Sequence, residues 1–150
     1  SRKRSPYPKK IKVSRMELWR HADHRDIGRE QLIEKLVRML IRLIEHAEDA
    51  DLDLAPFIGV GCPGTVESDG RISDGAQNLP GSWESKTFNL PERLAREIPD
   101  ILGYGTEVRM HNDAVVQGLS QLPRMRDVKH WAVLTIGTGL GNARFTNREV

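Results

Sequence analysis

An adjacent amide and carboxylate, Asn112 and Asp113, separate a strand-like segment from a helix-like one. Residues 107–110 alternate polar and apolar side chains as a half-buried strand does, and residues 114–122 carry apolar side chains at helical spacing. Asp113 is therefore predicted at a helix N-terminus, where the partial positive charge of the helix end favours an ionised carboxylate. Such a carboxylate can accept the proton of an attacking hydroxyl in phosphoryl transfer. It can equally serve only as an N-cap, and the pair alone leaves both roles open.

A glycine-rich segment follows the next apolar run. Residues 131–136 are mostly β-branched or apolar, which predicts a buried strand, and Gly137-Thr138-Gly139-Leu140-Gly141 comes directly after it. The backbone amides of such glycines can approach an anion closely, and the hydroxyl of Thr138 can join them. The segment is not a P-loop, because no Gly-Lys-Ser/Thr follows, and residues 144–146 favour a returning strand. A plain hairpin turn is the alternative that stays open.

A third group of motifs lies in residues 57–83. An apolar strand, residues 57–60, is followed by Gly61-Cys62-Pro63-Gly64-Thr65-Val66, then by Asp69-Gly70 and by Asn78-Leu79-Pro80-Gly81-Ser82-Trp83. Taken in order with the Asn-Asp pair and the glycine turn, these motifs resemble the ROK family, which gathers bacterial glucokinases, other sugar kinases and sugar-responsive repressors. The resemblance covers roughly residues 57–148, and the ordered set is far more specific than any one motif.

The resemblance implies an α/β fold of the ribonuclease-H-like type that actin and hexokinase share. Residues 1–123 would form the first, sugar-binding lobe and residues 130–150 the start of the second, with a cleft for sugar and nucleotide between the lobes. The family pattern also implies functional residues. Gly64, Asn78, Asn112 and Asp113 would surround a hexose, with Asp113 the catalytic base, and Gly137, Thr138, Gly139 and Gly141 would face the phosphates of Mg-ATP.

Several parts of the family pattern are missing from this sequence. These are the N-terminal Asp-x-Gly-Gly-Thr turn that holds the nucleotide, the Glu-x-Gly-His segment of the sugar site and the cysteines that bind zinc, and Asn142 stands where another glycine is usual. We therefore expect a fragment of a glucokinase-like sugar kinase that is inactive by itself. A sugar-sensing regulator or a catalytically degenerate sugar-binding relative is the alternative, and a plain interaction module is a third possibility.

Composition narrows the class of protein further. The chain has 150 residues, a net charge of +2 and one cysteine, Cys62, which is expected to be a small buried hydrophobe. No apolar run is long enough to span a bilayer, so we expect a cytoplasmic protein without membrane contact. Residues 1–20 hold eight Lys or Arg and a single Glu. This basic arm favours a solvated tail over nucleic-acid contact, which it does not exclude.

Helix and strand patterns complete the sequence-based prediction. Residues 29–48 carry a wide apolar stripe that predicts a helix on a sheet, with Asp26 as its cap. Residues 91–98 predict a shorter helix, with Pro91 in its first turn. Helices that alternate with single strands indicate parallel pairing. Apolar surface near residues 131–136 would be left uncovered, which predicts a homo-oligomer.

Overall fold

The computed structural model describes residues 12–24, 26–136 and 140–148. In chain order, and after a short 3-10 helix at His21–Asp23, the elements are α1 (Arg29–Asp49), β1 (Phe57–Cys62), β2 (Thr65–Val66), β3 (Ile72–Asp74), α2 (Leu90–Glu97), β4 (Asp100–Ile101), β5 (Tyr104–Gly105), β6 (Glu107–Asn112), α3 (Asp113–Gln121), β7 (His130–Ile136) and β8 (Leu140–Thr146). The architecture is mixed α/β, and the described strands form four two-stranded sheets.

The predicted parallel pairing is confirmed by β1 and β6. Their register runs from Phe57 opposite Glu107 to Cys62 opposite Asn112, so the carboxyl ends of both strands meet at one edge. Ile58 and Cys62 on β1 are buried, as is Met110 on β6. The glycine loop after β1 and the Asn-Asp pair at the junction of β6 and α3 therefore lie side by side at this edge.

Helix α1 covers the core with the predicted apolar stripe. Ile33 is fully buried, and Val37 and Ala47 are buried on the same face. The prediction of Asp26 as the cap was wrong, because the helix begins at Arg29 and its N-cap is Gly28. The side chain of Gln31 accepts a hydrogen bond from the Gly28 amide at 3.0 Å. Asp26 lies two residues upstream of this cap.

The first part of the basic arm, residues 1–11, lies outside the described residues, and the described part, residues 12–20, contacts α1 through Glu17. Arg42 on α1 donates to Glu17 at 2.8 Å, and Arg15 pairs with the same carboxylate at 3.7 Å. The hydrogen bond from Arg42 holds the pKa of Glu17 below its usual range. Glu17, the one acidic residue among residues 1–20, therefore connects this segment to α1.

Strands β7 and β8 form an antiparallel hairpin that packs on α3. Trp131 stacks on Phe145 with ring centroids 4.2 Å apart, and Phe145 in turn lies so close to Gly118 of α3 that no side chain fits there. On the opposite face of the hairpin Leu134, Ile136 and Leu140 are 60%, 81% and 69% exposed, beside the polar side chains of Asn142 and Arg144. The prediction of a buried strand at residues 131–136 was wrong, because Trp131 is the one buried residue of β7. The uncovered surface predicted there is confirmed, and the oligomer inferred from it stays a prediction. No helix in the described part of the chain has the length and apolarity needed to cross a membrane.

Candidate functional site

Asn112 joins the end of β6 to the glycine loop after β1. Its Oδ1 accepts a hydrogen bond from the Ala114 amide at 2.9 Å, which makes it the N-cap of α3. Its Nδ2 donates to the Gly64 carbonyl at 2.8 Å. One amide group therefore satisfies the helix end and holds a loop that is 48 residues distant in sequence. An Asp here could cap the helix but could not donate to Gly64 while ionised.

Gly64 itself stands at a close approach between two backbones. Its φ of +94° is in the left-handed region, and a side chain there would collide with the carbonyl of Asp74. Gly75 faces it with φ +86°, and a Cβ on Gly75 would lie 2.8 Å from the Gly64 Cα. The glycine pair lets the end of the β2–β3 hairpin pack directly against the loop after β1. Sequence reasoning missed Gly75, although a glycine directly after a strand is a signal of such an approach.

Asp113 is the first residue of α3, and its carboxylate is exposed. Oδ1 accepts from the Ala114 amide at 2.8 Å, in the electropositive environment of the helix end. Asn112 holds the N-cap position, but Asp113 Oδ1 accepts from the same Ala114 amide, so a purely structural role of Asp113 at the helix end stays open beside that of a base. Asp113 therefore presents an accessible carboxylate that the first turn of the helix orients.

Cys62 is the last residue of β1, close enough to Asp113 to be influenced by its charge. Burial and, to a lesser extent, the negative charge of Asp113 raise the pKa of the Cys62 thiol to about 11. The thiol is therefore neutral at physiological pH, and the prediction of a small buried hydrophobe is confirmed.

Gly141 is the residue of the β7–β8 hairpin that lies beside the Asn-Asp pair. A Cβ on Gly141 would lie 3.3 Å from the Ala114 Cβ and 3.6 Å from Asp113 Oδ1, and it would overlap the Thr135 hydroxyl. The bare backbone of Gly141 thus adjoins the candidate base, and Thr135 is a neighbour that sequence reasoning missed. Gly137, Thr138 and Gly139 lie outside the described residues. Asn142 is exposed and opposite Leu134, on the hairpin face away from Asp113.

Asn78 lies in the loop that leaves this region just after Gly75. Its side chain is exposed, and a turn follows in which the Leu79 amide donates to the Ala76 carbonyl at 3.0 Å. The structure therefore brings four of the predicted residues together at the carboxyl edge of β1 and β6, namely Gly64, Asn112, Asp113 and Gly141. Asn78 follows Gly75 by three residues in the loop that begins there.

Comparison with known proteins finds a similarity to a glucokinase. The chain is 30% identical over 125 residues to the glucokinase of Thermotoga maritima. The chain is related to a glucokinase. The match covers 81% of this chain and 37% of that protein, so the chain spans a little over a third of the length of the relative it matches. No protein-family model and no solved structure matches the chain.

Proposed function

We propose that this chain is part of an ATP-dependent hexose kinase of the ROK type, with glucose as the default substrate. The observation that carries the proposal is the meeting of an exposed carboxylate, Asp113, with the bare backbone of Gly141 at the start of one helix. A phosphoryl-transfer site needs such a proton acceptor beside a backbone surface that tolerates phosphate oxygens. The similarity to a glucokinase agrees with this chemistry.

Each residue has a distinct part in the proposed reaction. Asp113 accepts the proton of the attacking sugar hydroxyl, while Asn112 and Asn78 hydrogen-bond other hydroxyls of the ring. Gly64 provides close backbone approach on the sugar side. Gly137, Thr138, Gly139 and Gly141 line the phosphate side.

The residues of the proposed site are compatible with Mg²⁺. This ion needs only one or two carboxylates when the phosphates of the substrate supply its other ligands. In the described residues no three His, Cys, Asp or Glu side chains converge into a metal cluster, and Asp113 is the carboxylate beside Gly141. Bound Mg²⁺ would neutralise charge on the phosphates. Asp113 keeps its own orientation from the Ala114 amide.

The proposed architecture is ribonuclease-H-like. Residues 1–123 form the sugar-binding lobe and residues 130–150 begin the second lobe, which makes the chain part of a longer protein. For that protein we propose a cytoplasmic location. The parallel β1–β6 pair and the separate β7–β8 hairpin after a break at residues 123–129 support this division. The exposed apolar side chains of the hairpin support a homo-oligomer.

Asp113→Asn in the full-length kinase tests the proposal. The variant should still bind glucose in calorimetry, and its kcat in a coupled ADP assay should fall about 10²- to 10⁴-fold, as the loss of a general base predicts. Asp127→Asn, an exposed carboxylate in the turn before β7, is the matched control and should keep full turnover. Near wild-type turnover in Asp113→Asn would contradict the assigned role. Glucose binding without any turnover in the unmodified protein would favour the sugar-sensing regulator instead.

A further inference from the structure

Three hydrogen bonds, among others, hold the loop of residues 76–84, which carries Asn78. The Ala76 amide donates to Glu84 Oε1 at 3.0 Å, and the Trp83 indole donates to the Pro80 carbonyl at 2.7 Å. These two bonds are internal to the loop. The third comes from another element: an η nitrogen of Arg29 on α1 donates to the Ser82 carbonyl at 2.6 Å. Arg29 thereby ties the loop to the start of a long helix.

The surroundings of the Arg29 side chain favour its hydrogen bond to Ser82. Its guanidinium carbon lies 4.0 Å from the centroid of the Phe88 ring, and Phe88 meets Trp83 edge-on at 5.6 Å. A Cβ on Gly81, where φ is +87°, would lie 2.5 Å from the Arg29 amide nitrogen, so this glycine lets the loop close onto the helix. A planar cation that stacks on a ring and donates sideways matches this geometry.

We infer that Arg29 is a positioning residue for sugar recognition by Asn78, an inference that rests on the proposed function. Arg29 acts through the Ser82 carbonyl and does not touch the sugar. A loop that is already ordered loses less conformational entropy when it binds a ligand. Ala76 and Trp83 anchor the ends of the loop in the core, so loss of the bond from α1 is expected to loosen the segment between them and to raise the entropic cost of sugar binding. The base on α3 and the glycine turn of the β7–β8 hairpin lie on other elements, so proton transfer and ATP binding are expected to be independent of Arg29.

Arg29→Met in the full-length kinase removes the cation and its bonds to Ser82 and Glu30, whereas the Met side chain can still cover Phe88. We expect the KM for glucose to rise about tenfold, since a hydrogen bond from a charged donor is lost. The kcat and the KM for ATP should stay unchanged. Arg29→Lys keeps a cation and a donor and should restore most of the glucose affinity. Arg42→Met is the matched control, because Arg42 lies on the same helix and makes a 2.8 Å bond to Glu17 instead.

Amide hydrogen exchange supplies a second readout that needs no catalysis. In Arg29→Met the amides of Ala76 and Leu79 should exchange faster than in Arg42→Met. Equal glucose KM and equal exchange in the two variants would overturn the inference and leave the kinase proposal standing. Parallel losses in glucose KM, ATP KM and kcat would also overturn it, because they indicate general damage to the fold. Failure of the unmodified kinase to phosphorylate glucose would contradict the proposed function, and the exchange data would still decide whether Arg29 orders the loop.

Discussion

Replacing Asn112 with Ala should lower the free energy of unfolding, because its side chain makes two hydrogen bonds that join different parts of the chain. The first caps α3 through the Ala114 amide, and the second holds the Gly64 carbonyl. Losing an N-cap costs about 1 kcal/mol, but Asp113 Oδ1 also accepts from Ala114, so roughly half of that cost should remain. Leaving the half-buried Gly64 carbonyl without its donor adds about 1–3 kcal/mol.

The two terms together amount to about 1.5–3.5 kcal/mol. For a chain of this size, each kcal/mol lowers the melting temperature by roughly 2–4 °C. Thermal unfolding followed by circular dichroism at pH 7 can resolve a change of this size. Asn112→Asp tests the bond to Gly64 specifically, because an aspartate caps a helix as well as an asparagine does but cannot donate to the Gly64 carbonyl while ionised.

We expect Asn112→Asp to be at least as unstable as Asn112→Ala. Its carboxylate keeps the bond from the Ala114 amide, yet at neutral pH it faces the Gly64 carbonyl as a second acceptor. An Asn112→Asp variant that melts at the wild-type temperature would refute the reasoning, since the bond between Nδ2 and the Gly64 carbonyl would then contribute no stability. Asn147→Ala is not a suitable control, because the Asn147 side chain also bridges separate backbone segments.

Three further predictions concern the neighbours of the site and the apolar hairpin. Gly141→Ala should cost about 1–3 kcal/mol through overlap with the Thr135 hydroxyl, and adding Thr135→Ala should restore most of that loss in urea titrations; an unchanged loss in the double variant would exclude this overlap as the cause. Cys62, whose pKa is raised to about 11 by burial, should react with a disulfide reagent at pH 8 far more slowly in the folded than in the unfolded chain. The pKa of Cys62 is higher in the folded than in the unfolded chain, so the neutral thiol stabilises the fold at pH 8. This contribution to stability is lost as the pH rises towards 11, and Cys62→Ala should not show that loss. Residues 1–150 alone should show no ATP-dependent glucose phosphorylation and should self-associate in sedimentation experiments through Leu134, Ile136 and Leu140, whereas Leu134→Lys should shift them towards monomer.

Local patterns in the sequence determined most of the elements. The apolar stripe of residues 29–48 predicted α1 nearly to its ends, and alternation in residues 107–110 predicted most of β6. Pro91 lies in the first turn of α2, as predicted, and Asn89 caps that helix. These features depend on residues a few positions apart, whose spacing is read directly from the chain.

The meeting of these elements was decided by tertiary structure. Asn112 bonds Gly64 across 48 residues, and Arg29 bonds Ser82 across 53. Neither spacing has a local signature, because each contact exists only once helices and strands have packed. The placement of Gly141 beside Asp113 likewise required the β7–β8 hairpin to dock on α3. The sequence by itself thus determined which residues carry candidate chemistry, while packing between distant elements decided which of them share a site.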